Sequence, residues 1–464
     1  MNPTRRDFIR TAAVAATPLL LATDVFAQDT PAWPPALRGA KNGTASLRSD
    51  RFLEIPESVA KISKMEGAAP FTVAKNAPTV DLAFHGNLGA NASGRRLWSS
   101  WGDICLASDG KVYSGIGDHG DDARCFIYVW DPRARTLEQI IDMNRYIPPQ
   151  AGQPAWSKVH AKIDEGTNGK IYFSCTLNDG NRAGDAKRYS WTERLPGGQL
   201  YEYDPRKRQT SVFATLARTP RCTATSLFDR ERNIWWANLE VGPNALFGLN
   251  METRKPVFQS EDGAVGFNRN FAVGREGNVY INGPQSIIWK YDRKANRLVQ
   301  TKSSFAKSPG MRSSSRESRQ GHIYGTSHQA GQLWRYTPAR DELTTLGPAW
   351  LLGDYITVCE LSPDERFLYY LPGAHGQATR VGTPVIQYDI AAGRRKVIAF
   401  LANAFEQEHQ YVPAGTYGVK ISADGATLFV NFNGHPTKNL PKHLRPNGFG
   451  LCAFAAIQIP REER

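Results

Sequence analysis

The chain of 464 residues lacks the cysteine patterns that accompany several common cofactors. Its six cysteines lie far apart, at positions 105, 125, 175, 222, 359 and 452, and no two of them form C-x-x-C or C-x-x-C-H. These spacings exclude c-type haem attachment and zinc ribbons. Disulfide pairing stays open, because spacing alone does not assign it.

Long apolar runs and long helical patterns are also scarce. After the N-terminal segment no stretch is apolar enough to cross a bilayer, so we expect no membrane span in the mature chain. Sustained helical periodicity is limited to the segment LANAFEQEH, residues 401–409. Short β-type runs separated by Asp-Gly, Glu-Gly and Pro-Asp turns fill the rest. The pattern predicts an all-β protein.

A repeat runs through most of the chain. Each copy contains an apolar strand, a polar turn, a second strand, a variable insert, an aromatic strand that often ends in Tyr-Asp, and a last strand, as in ICLASDGKVYSGIGDHGDDARCFIYVWDPRARTLEQII. The seven copies begin at Ile104, Ala161, Ser226, Phe271, Glu317, Cys359 and Val419. Copies of four strands and roughly 40 to 60 residues are the size of a propeller blade.

The repeat resembles that of seven-bladed β-propellers from about residue 100 to the C-terminus. The seventh copy lacks an evident fourth strand, and the segment PTVDLAFHG, residues 78–86, is suited to supply it. We therefore predict a ring of four-stranded blades that is closed by an N-terminal strand. The predicted propeller covers residues 78–464, and residues 28–77 form a linker or an N-terminal arm.

The N-terminus carries features of export. Arg5 and Arg6 are followed by Asp7 and Phe8, and then by an apolar segment that ends in small residues. This pattern resembles a twin-arginine signal peptide, with cleavage before Gln28. Residues 1–27 are thus predicted to be removed, and the mature protein to be periplasmic or secreted.

The charge balance bears on partners. The chain has 57 basic and 44 acidic residues, a formal net charge of +13. A basic surface outside the cytoplasm favours an acidic glycan, another anionic small ligand or the cell envelope over nucleic acid. A positive charge that only keeps the protein soluble is an equal alternative. The oligomeric state stays open.

Histidines recur at one position of the repeat. His119, His375 and His435 each lie six residues after an aromatic residue of the second strand, and His328 occupies the same place in a shorter version. In a propeller, the end of strand two lies on the face that usually carries the site. The alternative is that these histidines only brace neighbouring blades.

A second set lies near the start of strand one, where blades line the mouth of the central channel. His, Arg and Tyr in such a ring are suited to hold an anion and move protons. The set consists of Trp101, Asp103, His160, Arg221, Arg269, Asn270, Arg312, Tyr355 and Tyr417.

These residue types resemble those of the propeller lyases that act on oligogalacturonate and ulvan. The resemblance implies β-elimination beside a uronate in an acidic glycan, with Arg holding the carboxylate and His or Tyr moving protons. It implies catalytic roles for His160, Tyr355, Tyr417 and His375. Substrate-binding roles fall on Arg221, Arg269, Arg312, His119, His328, His435, Arg188 and Trp191, of which the last two lie in a long insert of the second copy.

Two other hypotheses about function remain. A metal-dependent hydrolase or lactonase would use a divalent metal held by His328, His375 and His435, near the acidic loop GDHGDD. A binding propeller without chemistry would need only a basic rim and aromatic platforms, for which Trp98, Trp101, Trp156, Trp191 and Trp350 are available. The vicinal cysteine pair of quinoproteins is absent, so we expect no quinone.

Overall fold

The computed structural model describes most of the chain and confirms the predicted fold class. The described residues are 34–88, 98–118, 123–148, 155–177, 198–216, 222–240, 244–266, 268–305, 310–328, 330–437 and 449–464. They form seven four-stranded antiparallel blades in a ring, the arrangement of a seven-bladed β-propeller. The predicted signal segment lies outside the described residues.

Three strands precede the first blade. They are β1 Thr44–Arg48, β2 Phe71–Val73 and β3 Thr79–Phe84. Blade 1 contains β4 Cys105–Leu106, β5 Val112–Gly117, β6 Cys125–Asp131 and β7 Thr136–Asp142. A separate pair beside blade 2 starts with β8 Trp156–Val159. Blade 2 starts with β9 Asp164–Glu165 and β10 Ile171–Phe173. The pair is completed by β11 Cys175–Leu177, and the blade by β12 Gln199–Asp204 and β13 Gln209–Thr215.

The next three blades follow the same order from first to fourth strand. Blade 3 consists of β14 Cys222–Asp229, β15 Ile234–Glu240, β16 Ala245–Asn250 and β17 Pro256–Gln259. Blade 4 consists of β18 Ala272–Val273, β19 Val279–Asn282, β20 Ile287–Asp292 and β21 Arg297–Ser304. Blade 5 consists of β22 Met311–Ser314, β23 Ile323–Ser327, β24 Gln332–Thr337 and β25 Glu342–Pro348.

The last two blades also receive strands from the N-terminal region. Blade 6 consists of β26 Cys359–Leu361, β27 Phe367–Tyr370, β28 Pro384–Asp389 and β29 Arg394–Phe400, with β2 added in parallel to β29. Blade 7 consists of β30 Tyr411–Ile421, β31 Thr427–Pro436 and β32 Ala453–Gln458.

The N-terminal strand β3 closes the ring, as predicted. It pairs antiparallel with β32, with Thr79 opposite Gln458 and Phe84 opposite Ala453. It is therefore the fourth strand of blade 7, and β1 pairs with it on the outside as a fifth. Because the first and last parts of the propeller share one sheet, neither edge of that junction stays unpaired.

Helices are short and peripheral in the described part of the chain. The α-helices are α1 Glu57–Ile62, α2 Met143–Tyr146 and α3 Leu401–His409. Single 3-10 turns lie at Asp50–Leu53, Pro284–Ser286, Pro338–Arg340, Ala378–Val381 and Arg461–Glu463. No helix in the described ranges has the length and apolar character needed to span a bilayer.

The core lies between the blades, where large aromatic side chains from third strands are buried. Trp130 and Trp334 are both 1% exposed. Gly325 makes room for the second of these rings, because a Cβ built at this glycine would lie 2.3 Å from Cζ2 of Trp334 and 2.0 Å from the Ser313 carbonyl oxygen. Close packing between blades fixes how each first strand meets the central channel.

The turns between first and second strands share one face, and ion pairs join neighbouring blades there. Arg230 of blade 3 contacts Glu165 of blade 2 at 3.0 Å. Arg316 and Arg319 of blade 5 both contact Glu365 of blade 6. This face therefore holds the ring together, and the loops after second strands lie at the other end of the channel.

Candidate functional site

A cavity of about 500 Å³ lies at the end of the channel where second strands finish. Its lining combines three guanidinium groups, two imidazoles and two phenols, contributed mainly by blades 4 to 7. The described lining residues are Trp101, Arg269, Arg312, His328, Gly353, Asp354, Tyr355, His375, Gln377, Arg380 and Tyr417. Concave sites of this size with converging polar groups are typical of small-ligand pockets.

Two Tyr–His pairs are formed across blade boundaries. The Tyr417 hydroxyl, on strand one of blade 7, lies 3.0 Å from each ring nitrogen of His375, which follows strand two of blade 6. One blade earlier, the Tyr355 hydroxyl lies 3.5 Å from Nε2 of His328. The histidine that follows strand two of one blade thus meets a tyrosine that precedes strand one of the next blade or lies within it.

Arg312 connects the two pairs. Its Nε donates to the Tyr355 hydroxyl at 2.6 Å, its Nη1 donates to the Thr357 carbonyl at 2.9 Å, and its guanidinium carbon lies 5.1 Å and 5.7 Å from the ring centroids of Tyr355 and Tyr417. The residue is 2% exposed. Within the described part of the chain it makes no ion pair. A buried cation with neutral partners is a strong electrostatic attractor for an anion that enters the cavity.

Arg269 is the second cation of the cavity. Its Nη1 lies 2.7 Å from Nδ1 of His160, and its Nη2 donates to the Trp101 carbonyl at 3.2 Å. Because a guanidinium only donates, Nδ1 of His160 accepts this bond, and the imidazole proton lies on Nε2. His160 therefore stands behind Arg269 and orients it.

The loop that carries His375 is held in an unusual backbone conformation. His375 has a φ of 60°, in the left-handed region that side chains other than glycine rarely adopt. The amides of Gly373 and Ala374 both donate to the Tyr355 carbonyl, at 3.0 and 3.2 Å. The same Tyr355 stacks its ring on His375 at 5.2 Å between centroids. Backbone strain that is fixed by neighbours is common at functional sites.

Both cavity histidines are held in the neutral form. Burial, together with the positive charges of Arg312 and Arg269, lowers the pKa of His328 to about 4. The same causes lower the pKa of His375; more than a third of its surface stays exposed, so we expect a smaller shift there. Burial raises the pKa of Tyr417, so its hydroxyl stays protonated at neutral pH. The cavity thus holds neutral bases beside a phenol that can donate a proton.

The structure brings together six of the residues that were predicted from sequence to have catalytic or substrate-binding roles. These are Arg269, Arg312, His328, Tyr355, His375 and Tyr417. His160 lines a narrow space of about 20 Å³ below the cavity rather than the cavity itself. His435, on β31, is not among the described lining residues, and its Nδ1 lies 3.1 Å from the Pro436 carbonyl oxygen. Arg221, His119, Arg188 and Trp191 lie outside the described residues.

Three side chains of the cavity lining were not predicted: Asp354, Gln377 and Arg380. Asp354 precedes Tyr355 directly, and the other two follow His375 in the same Gly-rich insert. The length and glycine content of this insert were the only sequence features that marked it. Nothing in the repeat indicated that its later residues would turn back over the segment before blade 6.

The aromatic platforms expected for a binding propeller are mostly part of the core, which corrects that expectation. Trp98 and Trp350 are 0% exposed and Trp156 is 5% exposed. Trp101 is the described member of the set that reaches the cavity, where it contacts His375 and Tyr417 at 5.8 and 5.2 Å between ring centroids.

The described residues contain no cluster of side chains suited to bind a metal ion. In those ranges, no three His, Cys, Asp or Glu side chains come together in a way that would hold a metal ion. His328 and His375 both contact the ring of Tyr355. His435 does not join them in the cavity lining.

Below the site the channel is nearly closed. The narrow space that contains His160, Arg269 and Arg312 separates the cavity from a second one of about 510 Å³ on the opposite face. There Lys420 donates to Asp103 at 2.5 Å and to Glu360 at 3.4 Å, which links blades 7, 1 and 6. The cations and carboxylates that line this second cavity serve mainly as contacts between blades.

Comparison with known proteins gives a distant structural likeness and no family. No protein-family model matches the chain, and no curated protein matches it. Among solved structures, the chain is similar to one in the structure titled "Crystal Structure of Mitotic Checkpoint Complex", with a TM-score of 0.49, 9% identity, and coverage of 76% of this chain and 88% of that chain.

Proposed function

We propose that the protein is a lyase that cleaves an acidic, uronate-containing glycan by β-elimination. The observation that carries the proposal is the position of the buried Arg312 between two Tyr–His pairs in one cavity. Elimination beside a carboxylate needs a cation, a base and an acid within the width of one sugar. Each of these groups lines this cavity.

The uronate carboxylate binds to Arg312 and Arg269. A guanidinium can pair with a carboxylate through two parallel hydrogen bonds, and it stabilises the negative charge that grows on that group as the neighbouring carbon loses its proton. Arg269 is oriented from behind by His160 at 2.7 Å. His160 accordingly acts as a positioning residue in this proposal.

His375 and Tyr417 move the protons. Neutral His375 takes the proton from the carbon next to the carboxylate, and the electrons of that bond form a double bond to the adjacent carbon as its bond to the glycosidic oxygen breaks. Tyr417 gives its proton to the departing oxygen. His375 then returns its proton to Tyr417 across their 3.0 Å contact, which restores both groups.

The pair of His328 and Tyr355 has a supporting role in the same scheme. Their contact of 3.5 Å is longer, and the Tyr355 hydroxyl already accepts a bond from Arg312. We assign this pair to holding Arg312 and the carboxylate in place. The assignment separates the two histidines experimentally, because loss of the base removes turnover whereas loss of a positioning group weakens it.

Ultraviolet absorbance of the unsaturated product tests the proposal. Purified protein is incubated with polygalacturonate, ulvan, alginate and glycosaminoglycans, together with the variants H375A and Y417F. We expect product from at least one polymer with the wild type and at most one part in a hundred of that rate with either variant. H322A is the matched control, because His322 directly precedes strand two, at the opposite end of blade 5. Absence of product from every polymer would refute the lyase.

The proposal includes export to the periplasm or beyond, where such polymers are met. It rests on Arg5, Arg6 and Phe8 and on the apolar segment that follows them. Fractionation of cells that express the full chain, with the double variant R5K/R6K as a comparison, tests this part. Retention of the wild type in the cytoplasm would contradict it.

A further inference from the structure

One wall of the cavity carries an ion pair that the proposed elimination does not use. Oδ1 of Asp354 accepts a hydrogen bond of 3.0 Å from Nη2 of Arg380. The Asp354 side chain is 4% exposed, whereas the Arg380 side chain is 64% exposed. Both residues line the same cavity as Arg312 and Tyr355, and Gln377 lines it with them.

Three glycines allow this wall to form. Gly331 has a φ of 56°, and a Cβ there would lie 2.0 Å from the Asp354 carbonyl oxygen. Gly353, with a φ of 103°, brings the chain against Ala330 in the same way, and Gly373, with a φ of 89°, lets the loop of blade 6 approach Ala378. The 3-10 turn Ala378–Val381 then carries Arg380 over Asp354. The pair is thus presented by closely packed backbone.

The charge of this wall differs from that of the Arg312 side. Asp354 and Arg380 compensate each other, so together they offer hydrogen-bond acceptors and donors without a net charge. Sugar hydroxyls both donate and accept, and they suit such a surface. A carboxylate or sulfate would compete with Asp354 for Arg380 and would meet a buried carboxylate at close range, which is unfavourable.

We propose that Asp354 and Arg380, with Gln377, form a second sugar subsite that accepts an uncharged residue next to the uronate. The preferred substrate is then a glycan in which uronates alternate with neutral sugars, and not a uronate homopolymer or a chain with sulfated neighbours. The inference rests on the proposed lyase function, because the uronate itself is placed by Arg312 and Arg269.

Matched polymers test the subsite. Unsulfated chondroitin and chondroitin sulfate differ only in the sulfate group on the residue next to the uronate, and polygalacturonate has a uronate on both sides. We expect kcat/KM for unsulfated chondroitin to exceed that for each of the other two by about tenfold or more. The difference should lie mainly in KM.

Two variants test whether Asp354 and Arg380 cause the preference for the unsulfated polymer. D354N removes the carboxylate and releases Arg380, so we expect the ratio of kcat/KM between the unsulfated and sulfated polymers to fall at least about threefold. R380Q leaves the carboxylate uncompensated, so the same ratio should rise while KM for the unsulfated polymer increases. D364N is the matched control, since Asp364 forms an exposed pair with Arg366 away from this cavity; it should leave the ratio unchanged.

The outcomes distinguish this inference from the lyase proposal. If the wild type cleaves homopolymers or sulfated chains as well as it cleaves the unsulfated one, or if neither D354N nor R380Q changes the ratio, the subsite is refuted and the lyase stands. If no uronate polymer is cleaved, the lyase proposal fails and the subsite fails with it. Since Arg380 is largely exposed, R380Q keeps the test decisive even if D354N does not fold.

Discussion

The Nε of Arg312 donates a hydrogen bond of 2.6 Å to the hydroxyl of Tyr355, and the backbone carbonyl of that tyrosine accepts the amides of Gly373 and Ala374. One residue thus joins the cation of the cavity to the loop that carries His375. Cation, phenol and imidazole are thus fixed relative to one another, and in the proposed elimination such prior ordering would reduce the cost of reaching the transition state.

Replacement of Arg312 by methionine is expected to separate activity from stability. Loss of the cation should reduce kcat/KM for uronate glycans by about 10² to 10³, because charge on the carboxylate is no longer stabilised. The folded state should survive, since a buried charge without a carboxylate partner contributes little to stability. Initial rates and chemical denaturation of the same preparations measure both effects.

The matched control is R340M, which removes an exposed arginine paired with Glu342 on blade 5. It should leave kcat/KM within about twofold of the wild type. A normal kcat/KM in R312M would show that Arg312 has no role in the proposed reaction.

The pH dependence of activity should follow the lowered pKa values of the histidines. A base works in its neutral form, so activity is expected to stay level as the pH falls through 6.5 and to decline only toward the lowered pKa of His375. In R312M that decline should move to higher pH, because one of the positive charges that lower this pKa is gone. A rate profile from pH 3.5 to 8 measures it, and a wild-type midpoint at 6.5 would contradict the lowered pKa.

The same histidines should make the protein less stable in acid. The pKa of His328 is about 4 in the folded protein and 6.5 in the unfolded chain, so the unfolded chain binds more protons between these values. The contribution of His328 to the free energy of unfolding is present above pH 6.5 and is lost as the pH falls toward 4. Unfolding midpoints in urea at pH 7 and pH 4.5 measure the loss, which should be smaller in H328Q.

Gly325 is expected to tolerate no side chain. In G325A the new Cβ would meet the Ser313 carbonyl and the ring of Trp334, so we expect a loss of roughly 1–3 kcal/mol in the free energy of unfolding. G86A is the control, because nothing lies within 4 Å of a Cβ built at Gly86. Denaturant midpoints of the two variants should differ, and equal midpoints would contradict the packing described for blade 5.

The buried cysteines should resist alkylation in the native protein. Cys105, Cys125, Cys175, Cys359 and Cys452 are all buried, and burial raises the pKa of the Cys175 thiol. Iodoacetamide is expected to label these five only after unfolding, as mapped by peptide mass. The Sγ atoms of Cys125 and Cys175 lie 3.8 Å apart, and alkylation of either thiol in the native protein would contradict their burial.

Much of the fold could be predicted from sequence because each blade repeats the same alternation of strands and turns. Even the closing strand was indicated by PTVDLAFHG, since a seventh copy without a fourth strand requires one. The repeat also aligned His328 with His375, and Tyr355 with Tyr417. It did not indicate that each histidine meets the tyrosine of the following blade, because that contact depends on the rotation between neighbouring blades.

Other parts of the site depended on contacts that the repeat does not encode. His435 shares the repeat position of His375, yet it does not line the cavity, since β31 continues through it to Pro436 whereas β27 ends five residues before His375. Asp354 and Arg380 come together because Gly331 and Gly373 permit close backbone approaches. Such approaches depend on local φ values and on neighbouring blades, which a single sequence does not specify.

The pairing of β3 with β32 also determines when the protein can finish folding. The two strands are separated by nearly the whole chain, so blade 7 is incomplete until synthesis has passed Gln458 and both ends have met. Contacts of such long sequence separation form slowly, because a very large loop must close first. Tyr417 lies in that blade. The cavity is therefore completed by the last event of folding, and a chain that lacks β3 or β32 would lose ring and site together.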